Sequence, residues 1–278
     1  MSEPRMHQAV AADGIAIAGR VEGQGPPLVV VPATPSDGSL EWGPLAPYLT
    51  EHFTCFVMDR SSRARAAGEQ DHSPERVVGD VVSFIDSVGE PVGLVGSSWS
   101  GMLSLGAARR TSAVSALGLW EPLVIEAASE QDRERFDQTL DDVERLVDEG
   151  RLVNATRTWQ AASGIVSEEQ LAAIPDEFFE AVAPAMAIHV KEFRQAGQSP
   201  GPTPTEPSEL ATLSVPVLLL HGVESVPLFV NGVDHVAEHV AETTVRSIPD
   251  VGHGGWVFAP DAVAEELADF FTTVLDPT

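Results

Sequence analysis

A serine framed by small residues, carboxylates that end apolar runs, and a histidine between glycines follow one another along this chain. The serine is Ser98, within Gly96-Ser97-Ser98-Trp99-Ser100-Gly101. An apolar run, Pro91-Val92-Gly93-Leu94-Val95, precedes it, and a helical pattern from Met102 to Arg109 follows. A strand that turns sharply into a helix strains the backbone at the apex and presents the apical hydroxyl as a nucleophile. The positions two before and two after the apex must then be small, and for Ser98 these are Gly96 and Ser100. Were Ser97 the apex, Val95 and Trp99 would fill the cramped positions. Taken alone, the segment also suits an ordinary Ser/Gly-rich turn.

The histidine is His253, in Val251-Gly252-His253-Gly254-Gly255, between the last strand-like run and the last helical one. Loops at the carboxyl ends of parallel strands are where active sites gather. Serine, acid and histidine in this chain order form one of several convergent triads, in which the acid must reach Nδ1 of the imidazole. Glu224, in His221-Gly222-Val223-Glu224-Ser225, ends a strand and is the preferred acid; Glu121, in Trp120-Glu121-Pro122, ends the previous strand and is the alternative. Asp250 is expected to shape the turn before His253, and Asp234 falls inside a helix. Amides that hold a developing oxyanion are expected from Trp99, just after the nucleophile, and from the loop Pro32-Ala33-Thr34-Pro35-Ser36-Asp37-Gly38. In that loop Thr34 has an N–H to give, whereas Pro32 and Pro35 have none.

Short apolar runs alternating with helical patterns must position these groups, the mark of βαβ units and a mainly parallel sheet. Strands are predicted over His7–Asp13, Ile15–Glu22, Pro27–Pro32, Phe53–Asp59, the run before the elbow, Val114–Trp120, Val215–Gly222 and Thr243–Ile248. Helices are predicted near Pro74–Val88, after the elbow, near Pro227–Ala241 and over Pro260–Leu275. From Glu130 to about Gln195 the period is helical throughout, with Phe136, Leu140, Val143 and Leu146 on one stripe, and a Pro/Ser/Thr-rich linker, 199–205, follows. This divides the chain into an α/β core, 1–122 and 209–278, and a helical cap insertion, 123–208.

With 42 acidic against 16 basic residues the net charge is −26, so nucleic acid is excluded as a partner by repulsion from its phosphates. No apolar run approaches the roughly 18 residues of a membrane helix, and Met1 to Arg5 opens no signal-peptide core. A cytoplasmic, bacterial protein is expected, acting on a small molecule as a monomer or homodimer, with no membrane partner. Cys55 is the single cysteine, which rules out an intrachain disulfide and assigns it to a buried strand. His235-Val236-Ala237-Glu238-His239 has the spacing of a zinc-protease helix, but its expected place on the outer face of the sheet favours plain surface histidines. Trp42, Trp120 and Trp159 read as packing residues, Trp99 as pocket floor, and Trp256 as either pocket wall or core. Met186, His189 and Phe193 roof the pocket or pack the cap.

The chain resembles the α/β-hydrolase superfamily through Leu94 to Gly101, Val57-Met58-Asp59-Arg60, Trp120-Glu121-Pro122, and Leu218 to Gly222 ahead of Gly252-His253-Gly254. The resemblance covers nearly the whole chain and implies a mostly parallel eight-stranded sheet flanked by helices, with a helical cap before the acid-bearing strand. It departs from the family in three places. Pro32-Ala33 stands where members carry His-Gly, 61–65 lacks the usual glycine-rich turn, and Ser100 replaces a common glycine. Relatives that open epoxides or remove halide carry aspartate where Ser98 stands, so those reactions are not expected.

The preferred function is a serine hydrolase that cleaves an ester, lactone or thioester of a medium-sized hydrophobic substrate through an acyl-enzyme, with no cofactor and no metal. The altered oxyanion loop motivates an alternative, a cofactor-free cyclase, lyase or C–C bond-cleaving enzyme with His253 as base. A third reading is a ligand-binding or signalling protein that retains the triad for recognition.

Overall fold

The computed structural model describes residues 5–67, 71–162, 166 and 168–275. Eight strands form one sheet: β1 (Arg5–Val10), β2 (Ala16–Gly23), β3 (Pro27–Val31), β4 (Thr54–Met58), β5 (Val92–Ser97), β6 (Val114–Trp120), β7 (Val217–Gly222) and β8 (Thr243–Ile248). Their spatial order is β1-β2-β4-β3-β5-β6-β7-β8. β2 runs antiparallel to both β1 and β4, and every other neighbouring pair is parallel. The first strand ends at Val10, short of the predicted Asp13, because Ala11 donates to the Ile15 carbonyl and Gly14 takes φ 84 to close the turn.

The central strands are apolar on both faces because helices cover both. Val29, Val31, Leu94, Leu117 and Leu219 point to one core, shared with α1 (Pro74–Asp86), α2 (Ser98–Ala108) and α6 (Pro227–His239). Leu28, Val30, Val95, Leu218 and Leu220 point to the other, closed by Leu267 and Phe271 of α7 (Pro260–Leu275). Cys55 lies in β4 with no exposure, and burial pushes its thiol up, as suits a packing residue.

Between β6 and β7 stand α3 (Glu130–Asp148), α4 (Leu152–Ala162), a short helix at Glu168–Ala173, and α5 (Asp176–Ala196). The single helical stretch read from the sequence is broken where Gly150 takes φ 72 and where Pro175 caps α5. Residues 163–165 and 167 of that stretch, and Met1–Pro4, lie outside the described residues. The linker folds back on the segment that follows β6, with the hydroxyls of Thr203 and Thr205 donating to the Glu126 carboxylate. No described helix is long and apolar enough to cross a membrane.

Candidate active site

β5 delivers the chain to Ser98, which opens α2 with φ 48. A non-glycine residue holds this left-handed conformation at a cost of about 1–3 kcal/mol. The small-residue requirement is steric: a Cβ on Gly96 would lie 2.6 Å from Ser104 Oγ and 2.8 Å from the Ser100 carbonyl oxygen. Ser100 is fully buried and ties the elbow down. Its hydroxyl accepts from the Ser97 N–H at 3.0 Å and donates to the Val31 carbonyl at 2.7 Å.

Parallel pairing sets Ser97 opposite Trp120, so the first residues beyond β5 and β6 emerge side by side. The Leu123 N–H donates to the Ser98 carbonyl at 2.9 Å and fastens the two segments. Glu121 follows β6 with φ 43 and is fully buried. Its Oε2 lies 2.5 Å from His253 Nδ1, while Oε1 accepts from the Gly222 N–H at 2.7 Å and from the Ser225 hydroxyl. A carboxylate only accepts, so Nδ1 carries a proton, and in the neutral ring Nε2 is then the acceptor. The His253 loop is anchored by Trp120, whose indole N–H donates to the His253 carbonyl at 2.8 Å. Phe229, at the start of α6, stacks on the imidazole at 3.5 Å and 4°. Among the described residues Ser98 Oγ and His253 Nε2 share no hydrogen bond, and such contacts commonly tighten only in a substrate complex.

The carboxylate on the histidine is therefore Glu121 and not the preferred Glu224. Glu224 is exposed, and its backbone N–H donates to the Val251 carbonyl at 2.9 Å. That bond folds the loop after β7 against the histidine loop; a Cβ on Gly222 would come within 2.2 Å of the same carbonyl. The loop thus spends its backbone on the turn and sends the Glu224 side chain to solvent. Asp250 takes φ 59 in the turn before His253. The described non-glycine residues with positive φ are Ser98 at the elbow, Glu121 on the His253 imidazole and Asp250 in the turn before it.

The Trp99 N–H sits at the start of α2, as the elbow requires. Thr34 differs from expectation, since its N–H already donates to Glu41 Oε1 at 2.9 Å while Ala33 N–H donates to Glu41 Oε2 at 2.7 Å. Burial raises the Glu41 carboxyl pKa, against the pull of these hydrogen bonds and of Arg60. No motif announces Glu41; the loop folds back at Gly38, φ 75, and returns the carboxylate to the amides eight and seven residues upstream. Trp256 braces the same segment by donating its indole N–H to the Glu41 carbonyl. Arg60, just after β4, donates from Nη1 to the carbonyls of Pro32, at 3.0 Å, and Ala33. Its Nη2 lies 2.6 Å from both carboxylate oxygens of Glu192 on α5, and the Trp99 indole N–H donates to Glu192 Oε2 at 2.8 Å.

A cavity of about 810 Å³ lies along α2, with Trp99, Met102, Leu123, Phe136, Leu140 and Phe193 among its lining; Ser98 and His253 do not line it, whereas Trp99, the residue after Ser98, does. Trp42 and Trp120 are core residues, Trp159 packs on Phe136, His189 and Phe193, and Met186 is buried. Burial pushes the His189 imidazole down to about 3, so it is neutral beside Phe193. In the helix with zinc-protease spacing, His235 Nε2 meets the Thr205 carbonyl at 2.9 Å and His239 Nδ1 meets the His235 carbonyl at 2.8 Å. Each of those nitrogens is therefore a donor.

Residues 28–266 match the family model described as Alpha/beta hydrolase family. No curated protein matches the chain. Among solved structures, an alpha/beta hydrolase from Sphaerobacter thermophilus is 25% identical, covering 96% of this chain and 100% of its own, with a TM-score of 0.73. An esterase from Rhodococcus sp. shares the fold at 19% identity, covering 97% and 99% of the two chains, with a TM-score of 0.74. A thermophilic esterase from Thermogutta terrifontis does so at 19% identity, covering 99% and 100%, with a TM-score of 0.71. With its sheet, its elbow and a family match over most of its length, the chain belongs to the alpha/beta hydrolase family.

Proposed function

We propose that the protein is a serine hydrolase that cleaves an ester, lactone or thioester carrying a hydrophobic acyl group. The observation that carries this reading is the buried Glu121–His253 pair, at 2.5 Å, beside a serine held at φ 48 on a strand-to-helix elbow. In this scheme Nε2 of His253 takes the Ser98 proton as Oγ attacks the carbonyl carbon, and Glu121 stabilises the imidazolium that forms. The Trp99 amide receives the developing oxyanion, which must also displace Glu41 from the Thr34 amide to gain a second donor. His253 then protonates the leaving group, and water attacks the acyl-enzyme with His253 again as base. The apolar cavity beginning at Trp99 supports a medium-sized hydrophobic acyl group over a short polar one.

Glu41 also favours a second reading. A carboxylate seated on the Ala33 and Thr34 amides opposes a second negative charge there, which suits C–C cleavage, cyclisation or elimination with His253 as base and no acyl-enzyme. Intact mass after treatment with a fluorophosphonate separates the two, with Ser98→Ala and His253→Ala beside wild type. One adduct on wild type and none on either variant supports the acyl-enzyme route. No adduct on folded wild type refutes it and leaves the second reading.

A further inference from the structure

The Glu192 carboxylate is buried at 3% exposure and bridges two segments far apart in sequence, Arg60 after β4 and Trp99 after the elbow. Arg60, itself 2% exposed, carries the link onward to the carbonyls of Pro32 and Ala33. A peptide unit is planar and trans, so the direction of the Ala33 C=O fixes the opposite direction of the Thr34 N–H. The grip of Arg60 on that carbonyl thus aims the amide that the oxyanion needs. The hydrogen bond from the Trp99 indole holds the other donor residue against the same carboxylate. One side chain from the inserted helix α5 therefore registers both oxyanion-forming segments of the core.

Stability is a poor account of this arrangement. A buried ion pair seldom outperforms well-packed apolar residues of similar volume, because desolvation offsets the attraction. The Trp99 indole that meets Glu192 also packs on Phe193, which in turn meets Phe136 and Trp159, so apolar surface adjoins this position.

We propose that Glu192 is a positioning residue of the oxyanion hole, so that docking of α5 makes Ser98 competent. The inference rests on the serine-hydrolase reading above. The test compares wild type, Glu192→Gln, Glu192→Met and the charge-free double variant Arg60→Met/Glu192→Met. Each is measured for Tm and for the second-order rate of fluorophosphonate labelling, and kcat and KM are measured on an ester that wild type turns over. Glu192→Met strands the buried Arg60 and loses both Tm and labelling rate. The double variant recovers most of that Tm, yet its labelling rate and kcat stay lower by on the order of 10²-fold, the scale of one lost oxyanion donor, with KM little changed. Glu192→Gln keeps the shape and an acceptor for Trp99, and falls between.

Recovery of the labelling rate together with Tm in the double variant overturns the proposal, leaving the pair a structural tie. Wild-type labelling rates in Glu192→Gln and the double variant overturn it as well. Failure of wild type itself to label instead removes the serine-hydrolase reading, and this inference with it.

Discussion

Replacing Glu121 by glutamine is the most searching test of the site, because shape is kept while hydrogen-bonding sense is changed. Every group that meets this side chain donates to it: the Gly222 N–H, the Ser225 hydroxyl and His253 Nδ1–H. Glutamine supplies one accepting oxygen and one donating nitrogen. With its oxygen kept on Gly222, its NH₂ faces Nδ1, which must then shed its proton to Nε2. That tautomer cannot take a proton from Ser98. Loss of the correct tautomer in a serine triad lowers kcat about 10⁴-fold, or about 5.4 kcal/mol. One buried charge-assisted hydrogen bond is also lost, about 1.5–3 kcal/mol of stability and roughly 3–12 °C in Tm. Fluorophosphonate labelling kinetics read the first effect and differential scanning calorimetry the second. Glu224→Gln, in solvent, leaves both unchanged. Labelling by Glu121→Gln within about tenfold of wild type, or a collapse in Glu224→Gln, would refute the assignment of the acid.

Four further outcomes are expected. Glu41→Ala frees the Thr34 amide and raises the labelling rate about 10- to 100-fold, and a fall in rate would show that the carboxylate only braces the loop. The raised pKa of Glu41 means that the folded chain holds this proton more tightly than the unfolded one. Its stabilising effect is therefore complete below the ordinary carboxylate range and is lost as pH rises through the folded value, a loss that denaturant titrations should find absent in Glu41→Gln. His189 has the opposite sign: its pKa falls from 6.5 to about 3, so stability is lost as pH drops below 6.5. The loss reaches about 2 kcal/mol at pH 5, and His189→Phe should remove it in urea titrations at pH 7 and pH 5. Met102→Trp, within the cavity along α2, lowers kcat/KM on long-chain acyl esters about 10- to 100-fold and leaves acetyl esters little changed; equal loss on both would detach the cavity from substrate binding.

The sequence by itself determined the sheet, the elbow and the two candidate catalytic side chains, Ser98 and His253. Apolar runs of strand length between helical patterns are local signals, and all eight strands formed where such runs occur. Gly96 and Ser100 identify Ser98 because the apex excludes larger neighbours whatever the rest of the chain does. His253 between glycines marks a loop that comes close to others. Tertiary structure alone decided which carboxylate meets the histidine, since Glu121 and Glu224 both end strands and look alike in sequence. The choice fell to the turn after β7, whose backbone bond to Val251 turns Glu224 outward, and to the left-handed backbone at Glu121 that swings its carboxylate inward. Glu41 on the Thr34 amide, and Glu192 across Arg60 and Trp99, were equally hidden. Long-range polar contacts leave no periodicity in a sequence; they arise only once packing has excluded water and left each buried donor to find an acceptor.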